Sequence, residues 1–92
     1  MLLVVKSSPD TPEGQRGFKL AKDMRADLVL VQNAVYFIQE RGFEGFNGRV
    51  YLLEEDSSLR GLNPKSEIIV KKITYDDLVD LITGDDAVIG MF

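Results

Sequence analysis

A continuous apolar run at residues 28–31, closed at once by Gln32 and Asn33, constrains this chain more than any other feature. The run reads Leu-Val-Leu-Val and has no polar alternation, which is the pattern of a strand buried on both faces. A helical pattern follows the polar pair directly. We therefore predict a buried strand that leads into a helix, which is half of a β–α unit.

Strand and helix patterns alternate along the rest of the chain. Strands that are joined through helices must be mostly parallel, with right-handed crossovers and helices on both faces of the sheet. We predict a single domain over residues 1–92, folded as a three-layer α/β/α sandwich with a mostly parallel sheet of four to five strands. The pattern leaves the strand order open. The other predicted strands are residues 2–5, 49–53, 68–73 and a short one at 87–89.

The first helix has the clearest start signal. Thr11 is a favoured N-cap residue and a proline follows it, so we predict a helix from there to Met24. Gly14 and Gly17 lower the helix propensity of this segment. We expect them to make its first turn loose, and a close approach to a neighbouring chain or ligand is the alternative.

Three further helices are predicted from polar N-cap residues and from glycines that can end a helix. They are residues 34–41 capped by Asn33, a turn and short helix over 54–61 capped by Asp56 or Ser57, and a last helix from Thr74 to Gly84. Asp77 is the expected capping partner of Thr74. The last helix is predicted to bury an apolar face made of Tyr75, Leu78, Val79 and Ile82.

The sequence contains no cysteine and no histidine. Thiolate nucleophiles, persulfide carriage, disulfides, Cys/His zinc sites and imidazole acid–base chemistry are therefore excluded within it. The two glycine-rich phosphate-binding motifs, GxGxxG and GxxxxGK(S/T), are both absent from the sequence. The acidic clusters lie at predicted helix ends, where capping and solvation explain them. We predict no catalytic residue, no metal site and no cofactor.

Charge and hydropathy narrow the range of partners. Fifteen acidic residues against 11 basic ones give a net charge of -4, which argues against a nucleic-acid surface. No apolar run approaches the roughly 20 residues that cross a bilayer. The apolar run at residues 2–5 is too short for a signal peptide. We therefore expect a cytoplasmic protein that binds neither membranes nor nucleic acid.

Polar side chains follow several of the predicted strands. In a parallel sheet, ligands bind beyond the carboxyl ends of the strands. The loops there supply hydroxyl, amide and carboxylate groups but no nucleophile–base pair. The candidate ligand-binding residues are Ser7, Ser8, Gln32, Asn33, Asp56 and Thr74.

Four large apolar side chains fall outside the predicted helices and strands: Phe43, Phe46, Met91 and Phe92. Side chains of this kind either tuck onto the core or form an exposed patch, and patches of more than a few hundred Å² usually mark interfaces. Oligomers of one chain are most often two-fold dimers. We predict that the isolated protein forms at least a homodimer, with residues 43–48 or the tail 91–92 in or beside the contact.

Several segments together point to a known family. They are RVYLLEED at residues 49–56, LRGL at 59–62, ITYDDLVDL at 73–81, KSSP at 6–9 and the corner LVQNAVY at 30–36. In these segments the chain resembles the DsrH/TusB family, the small subunits of sulfur-relay complexes. Ala34 departs from the family, which usually has a glycine there.

The resemblance implies a DsrE-like α/β fold and assembly with DsrE/TusD-like and DsrF/TusC-like subunits. It implies a role in moving sulfur toward 2-thiouridine at the tRNA wobble position, or in sulfur oxidation. Some members carry a cysteine in the first helix, and the corresponding residues 18–21 have none here. This subunit would then be non-catalytic, and a partner would carry the sulfur. A small-molecule-binding α/β domain, or a stand-alone homo-oligomer without a relay role, is the alternative.

Overall fold

The described residues form one five-stranded sheet in which every pairing is parallel. The computed structural model describes residues 1–39, 46, 48–62, 70–84 and 88–92. In chain order the elements are β1 (Leu2–Val5), α1 (Pro12–Met24), β2 (Asp27–Leu30), a 3-10 helix (Gln32–Gln39), β3 (Val50–Leu53), α2 (Glu54–Leu59), β4 (Lys71–Ile73), α3 (Tyr75–Gly84) and β5 (Val88–Met91). The predicted parallel α/β architecture is confirmed.

The strands are arranged in the order β4-β3-β2-β1-β5. The first four strands are therefore neighbours in the sheet in the order in which the chain makes them. The chain then returns across the sheet and places β5 on the other side of β1. Leu2 accordingly pairs with Asp27 of β2 on one side and with Val88 of β5 on the other.

Both faces of β1 and β2 are buried, as the continuous apolar runs predicted. Leu3, Val5, Leu28 and Leu30 lie on one face, in a cluster with side chains of α1 and the 3-10 helix. The alternate residues lie on the opposite face, where Leu78 and Leu81 of α3 pack against them. These two clusters, one on each side of the sheet, make up the three layers.

The second predicted helix differs from expectation at its start. It is a 3-10 helix that begins at Gln32, so Asn33 lies inside it and the predicted Asn33 cap is wrong. The polar groups that would form the predicted cap are engaged in other hydrogen bonds. The Gln32 N–H donates to the Asp56 carboxylate, and the Asn33 side-chain oxygen accepts from Arg60. Residues 40 and 41 of the predicted helix lie outside the described residues.

The short helix α2 also begins differently. It starts at Glu54 directly from β3, with no side-chain cap, so the predicted caps Asp56 and Ser57 are wrong. The Ser57 hydroxyl donates back to the Glu54 carbonyl oxygen at 3.0 Å, which leaves it inside the helix. Gly61 follows the helix with φ +66, the left-handed conformation expected of a residue that ends it.

The last helix, α3, begins as predicted but turns a different face to the core. Asp77 N–H donates to the Thr74 hydroxyl at 3.2 Å, and Thr74 N–H donates to the Asp77 carboxylate at 3.1 Å. Of the four residues predicted to be buried, only Leu78 packs against the sheet, together with Leu81. The other three, Tyr75, Val79 and Ile82, are exposed because the helix leans on the sheet along the Leu78–Leu81 flank.

The remaining strands are close to expectation. β3 spans Val50–Leu53 and β5 spans Val88–Met91, each within two residues of the predicted ends. Among the described residues β4 covers Lys71–Ile73, and Val70 of the predicted fourth strand is not part of it. Residues 68 and 69 of the predicted fourth strand, and residue 87 of the fifth, lie outside the described residues.

Gly14 and Gly17 serve a close approach within the chain rather than a loose first turn. Both are buried on the side of α1 that faces the sheet. A β-carbon on Gly14 would lie 2.8 Å from the Ser7 carbonyl oxygen and nearer still to that of Ser8. One on Gly17 would lie 2.7 Å from the β-carbon of Phe92. The absence of side chains at these positions lets α1 settle onto β1 and the tail.

Gly14→Ala should therefore destabilise the fold, whereas Gly84→Ala should not. Overpacking against backbone costs about 1–3 kcal/mol, while a β-carbon on Gly84 would meet nothing within 4 Å. At that open position alanine gains up to about 1 kcal/mol from helix propensity. Urea unfolding measures both free energies. Equal unfolding midpoints for the two variants would contradict the close approach at Gly14.

Candidate functional site

The predicted ligand-binding residues lie where strands end. β1 runs into the loop that contains Ser7 and Ser8, and β2 runs into the corner at Gln32. β3 leads directly into α2, and β4 is followed by Thr74. Because all strands are parallel, these segments leave the same edge of the sheet.

A buried carboxylate connects the second and third of these segments. Asp56 lies in the first turn of α2 and is only 7% exposed. Its Oδ2 accepts a hydrogen bond of 2.6 Å from the backbone N–H of Gln32. Gln32 has φ 51, in the left-handed region, which costs a residue with a side chain roughly 1–2 kcal/mol. The charge-assisted bond from Asp56 stabilises this corner.

Arg60 holds the same corner from the other end of α2. Its Nε and one terminal nitrogen donate to the side-chain oxygen of Asn33 at 3.2 and 3.0 Å. Its other terminal nitrogen donates to the Asp56 carbonyl oxygen at 3.1 Å and lies 3.9 Å from the Asp56 carboxylate. Gln32, Asn33 and Asp56 are therefore brought together, and the Gln32 backbone N–H, the Asn33 side-chain oxygen and the Asp56 carboxylate have partners within the chain.

A small open pocket lies beside this corner, between the ends of β3 and β4. It is lined by Glu54, Glu55, Thr74 and Tyr75 and has a volume of about 220 Å³. Typical sites for small organic ligands are larger, about 300–1,000 Å³. This pocket is smaller than that, and two of its four lining residues, Glu54 and Glu55, carry a negative charge that favours a cationic group.

The phenol of Tyr75 senses the negative charge around the pocket. The charge of Asp56 first, then partial burial, then the charge of Glu55 raise the pKa of Tyr75 above its ordinary value of 10.0. Each of these effects disfavours the phenolate. Asp56 and Glu55 therefore lie close enough to Tyr75 to disfavour its ionisation.

Ser7 and Ser8 belong to a different part of the sheet edge. The Ser8 carbonyl oxygen accepts from the Thr11 N–H at 3.0 Å and from the Thr11 hydroxyl at 2.6 Å. The Ser8 hydroxyl donates to Asp10. These bonds shape the start of α1. Among the described contacts, none joins the two serines to Gln32, Asn33, Asp56 or Thr74.

The predicted interface residues are split between the core and the surface. Phe46 packs against the core and lies 5.6 Å from Phe18, measured between ring centroids. Phe92 also packs against the core, whereas Met91 is exposed. Phe43 lies outside the described residues. As interface residues all four stay a prediction, and so do the ligand-binding residues.

Two residues of the site were missed by sequence reasoning. Arg60 looks like an ordinary cation near a helix end, and its partner Asn33 is 27 residues away in the chain. Tyr75 was assigned to the buried face of α3 and instead lines the pocket. The acidic run at residues 54–56 next to a predicted strand end was the signal that could have directed attention to both.

A metal-binding cluster and a membrane-spanning helix each place requirements on the described residues. No group of three or more acidic, histidine or cysteine side chains among them is placed to hold a metal ion. Nor does any helix in these ranges combine the length and hydropathy that crossing a bilayer requires.

Comparison with known proteins identifies the family. The family described as "DsrH like protein" matches residues 8–88, which is most of the chain. This chain belongs to the DsrH family. The solution NMR structure of protein Tm0979 from Thermotoga maritima is similar, with 30% sequence identity and a TM-score of 0.63. The similarity covers 98% of this chain and 100% of that one. No functionally curated protein matches the chain.

Membership of the DsrH family confirms the resemblance found in the sequence and the DsrE-like fold that it implied. The family is one of sulfur-relay subunits that work in complexes and are in general non-catalytic. The site described above contains carboxylates, amides, a guanidinium and a phenol. Its hydrogen bonds hold the chain in shape.

The pKa of Tyr75 provides a direct test of the geometry at this DsrH site. Asp56→Asn should lower the pKa of the phenol toward 10.0, because it removes the largest of the charges that raise it. Asparagine keeps an oxygen that can accept from Gln32, so the fold should persist. A pH titration of the tyrosine ring resonances by NMR measures the shift, with Asp23→Asn on α1 as the control.

The raised pKa of Tyr75 also makes the stability of the fold depend on pH. Since folding raises the pKa of the phenol, its contribution is present below pH 10.0 and is lost as the pH rises through the folded-state value. Asp56→Asn should reduce that alkaline loss. A Tyr75 pKa that is identical in the wild type and in Asp56→Asn would contradict the arrangement.

Proposed function

We propose that this protein is a non-catalytic subunit of a sulfur-relay complex and acts through contacts with sister subunits. The observation that carries the proposal is the match of residues 8–88 to the DsrH family in a sequence without cysteine. A persulfide forms only on a thiolate sulfur, so this sequence offers no atom that could carry one. Its contribution is then structural.

The partners in this proposal are DsrE/TusD-like and DsrF/TusC-like subunits, and one of these supplies the sulfur-carrying cysteine. The sulfur moves toward 2-thiouridine at the tRNA wobble position or serves sulfur oxidation. In either pathway the role of this chain is the same. It binds the partners and helps to position the subunit that bears the persulfide, without joining in the transfer.

The polar corner supports a structural role more than ligand binding. The side-chain oxygens of Asn33 and Asp56 accept hydrogen bonds from Arg60 and Gln32, which fixes the corner after β2 to the helix after β3. A fixed edge of this kind is suited to meeting another protein surface, because little conformational entropy is lost on binding.

Co-expression with the DsrE-like and DsrF-like proteins of the same genome should yield one complex. Size-exclusion chromatography and native mass spectrometry should show all three chains together. When the complex is charged with ³⁵S from a cysteine desulfurase and labelled cysteine, the label should appear on a partner chain. Label on this chain would contradict the non-catalytic role, and separate elution of the three chains would contradict the relay assembly.

We also propose that the isolated chain associates with itself through the β5 edge. Met91 is 59% exposed and Val88 is exposed beside it, on a strand that pairs only with β1 in the described sheet. Such an edge offers backbone groups as well as apolar side chains to a second copy. Phe92, which directly follows the strand, packs against the core.

Light scattering at micromolar concentration should therefore give a mass of at least a dimer. Met91→Ser should weaken the association without unfolding the protein, because the side chain is exposed. Met24→Ser, at an exposed position on α1, is the matched control and should leave the mass unchanged. A monomer mass for the wild type would refute the association. A dimer that Met91→Ser leaves intact would refute its location.

A further inference from the structure

The outer face of α3 carries apolar side chains that are exposed and that do not attach the helix to the sheet. Tyr75, Val79 and Ile82 are spaced by four and three residues, so they share one side of the helix. They are 51%, 56% and 36% exposed. The helix is already attached to the sheet by Leu78 and Leu81, on its neighbouring flank. We call the three exposed residues the α3 stripe.

The acidic pocket continues the α3 stripe at its Tyr75 end. Glu54, Glu55 and Tyr75 all line this pocket, which has a volume of about 220 Å³. Asp76 follows Tyr75 on the surface of the helix and is exposed. The charge of Asp56, behind the pocket lining, is the largest cause of the raised pKa of Tyr75, and the charge of Glu55 is a smaller one. This surface therefore combines the apolar α3 stripe with a negatively charged pocket at one end of it.

We propose that the α3 stripe and its acidic pocket form the docking surface for a sister subunit that presents an apolar patch with a lysine or arginine at its border. The apolar patch covers Val79 and Ile82. The cation enters the pocket between Glu54, Glu55 and the ring of Tyr75. This inference rests on the proposed function, and it adds to it the surface and the chemistry of the partner.

Charge complementarity selects this occupant over the others. A second copy of this chain carries a net charge of -4. Its own acidic pocket would bring a second set of carboxylates to the contact. Nucleic acid and anionic lipid would be repelled by Glu54 and Glu55 for the same reason. A cation above the tyrosine ring gains from the ring as well as from the carboxylates.

The apolar part is tested by the double substitution Val79→Ser with Ile82→Ser in the complex with the co-expressed DsrE-like and DsrF-like subunits. We expect the dissociation constant to rise by about tenfold or more, which corresponds to about 1.4 kcal/mol. Met24→Ser on α1 is the matched control and should change it by less than about twofold, since surface substitutions away from a contact have small effects.

The charged part is tested by Glu55→Lys, with Asp23→Lys on α1 as the matched charge reversal. Glu55→Lys should weaken the complex by about tenfold or more, because it places a cation where the partner's cation binds. Glu55→Gln should also make the affinity less sensitive to salt, since one screened attraction has been removed. Asp23→Lys should neither weaken the complex nor change the salt dependence of its affinity.

The outcomes separate this inference from the proposed function. A complex that forms with the wild type and keeps its affinity in all α3-stripe and Glu55 variants overturns the surface and leaves the proposed function standing. The absence of a complex with the wild type overturns both. Loss of self-association in Val79→Ser with Ile82→Ser, seen by light scattering, would make a second copy the occupant and would overturn the inference.

A measurement on the wild type covers the case of a variant that does not fold. Addition of the unlabelled partners to the ¹⁵N-labelled protein should shift amide resonances of α3 and of Glu54 and Glu55. Amides of α1, on the other face of the sheet, should keep their positions. Shifts confined to α1 or to β5 would overturn the docking surface.

Discussion

The central strands of this protein have no face that water reaches, and this constraint decides the architecture. Every residue of β1 is buried, and so are Leu28, Val29 and Leu30 of β2. A sheet with such strands at its centre needs a layer on each side. α1 and the 3-10 helix cover one side and α3 covers the other, so both layers follow from the same two apolar runs.

The polar end of the sheet depends in turn on a single carboxylate. Asp56 connects the corner after β2 to the helix after β3, and Arg60 adds a second connection across the same gap. The left-handed residue Gln32 is stabilised by this contact. The polar chemistry that the sequence places at the strand ends is therefore used to shape the protein. This arrangement is compatible with the proposed role, in which the chain contributes a contact surface to a relay complex.

The parts of the fold that sequence could predict are those determined by neighbouring residues. The apolar runs predicted β1 and β2 because burial on two faces leaves a local pattern. Thr74 and Asp77 could be recognised as a cap because they are three residues apart. DsrH membership could be recognised because many such local segments agree.

The parts that could not be predicted depend on distant residues. The corner bond joins residues 24 apart, and the Arg60–Asn33 contact joins residues 27 apart. No local pattern records either pairing, so the sequence alone predicts Asn33 and Asp56 as helix caps. In α3 the helical period identified a wide apolar side. Which flank of that side meets the sheet depends on the tilt of the helix, which its own sequence does not encode.

The place of β5 has a consequence for the order in which the fold can be completed. β1 to β4 can pair one after another as the chain is synthesised, because each new strand joins the previous one. The outer edge of β1 is different, since its partner is the last strand, made more than 80 residues later. A hydrophobic strand with an unpaired edge invites foreign pairing. Nascent chains of this protein are thus most exposed to misassembly just before residues 88–91 emerge from the ribosome.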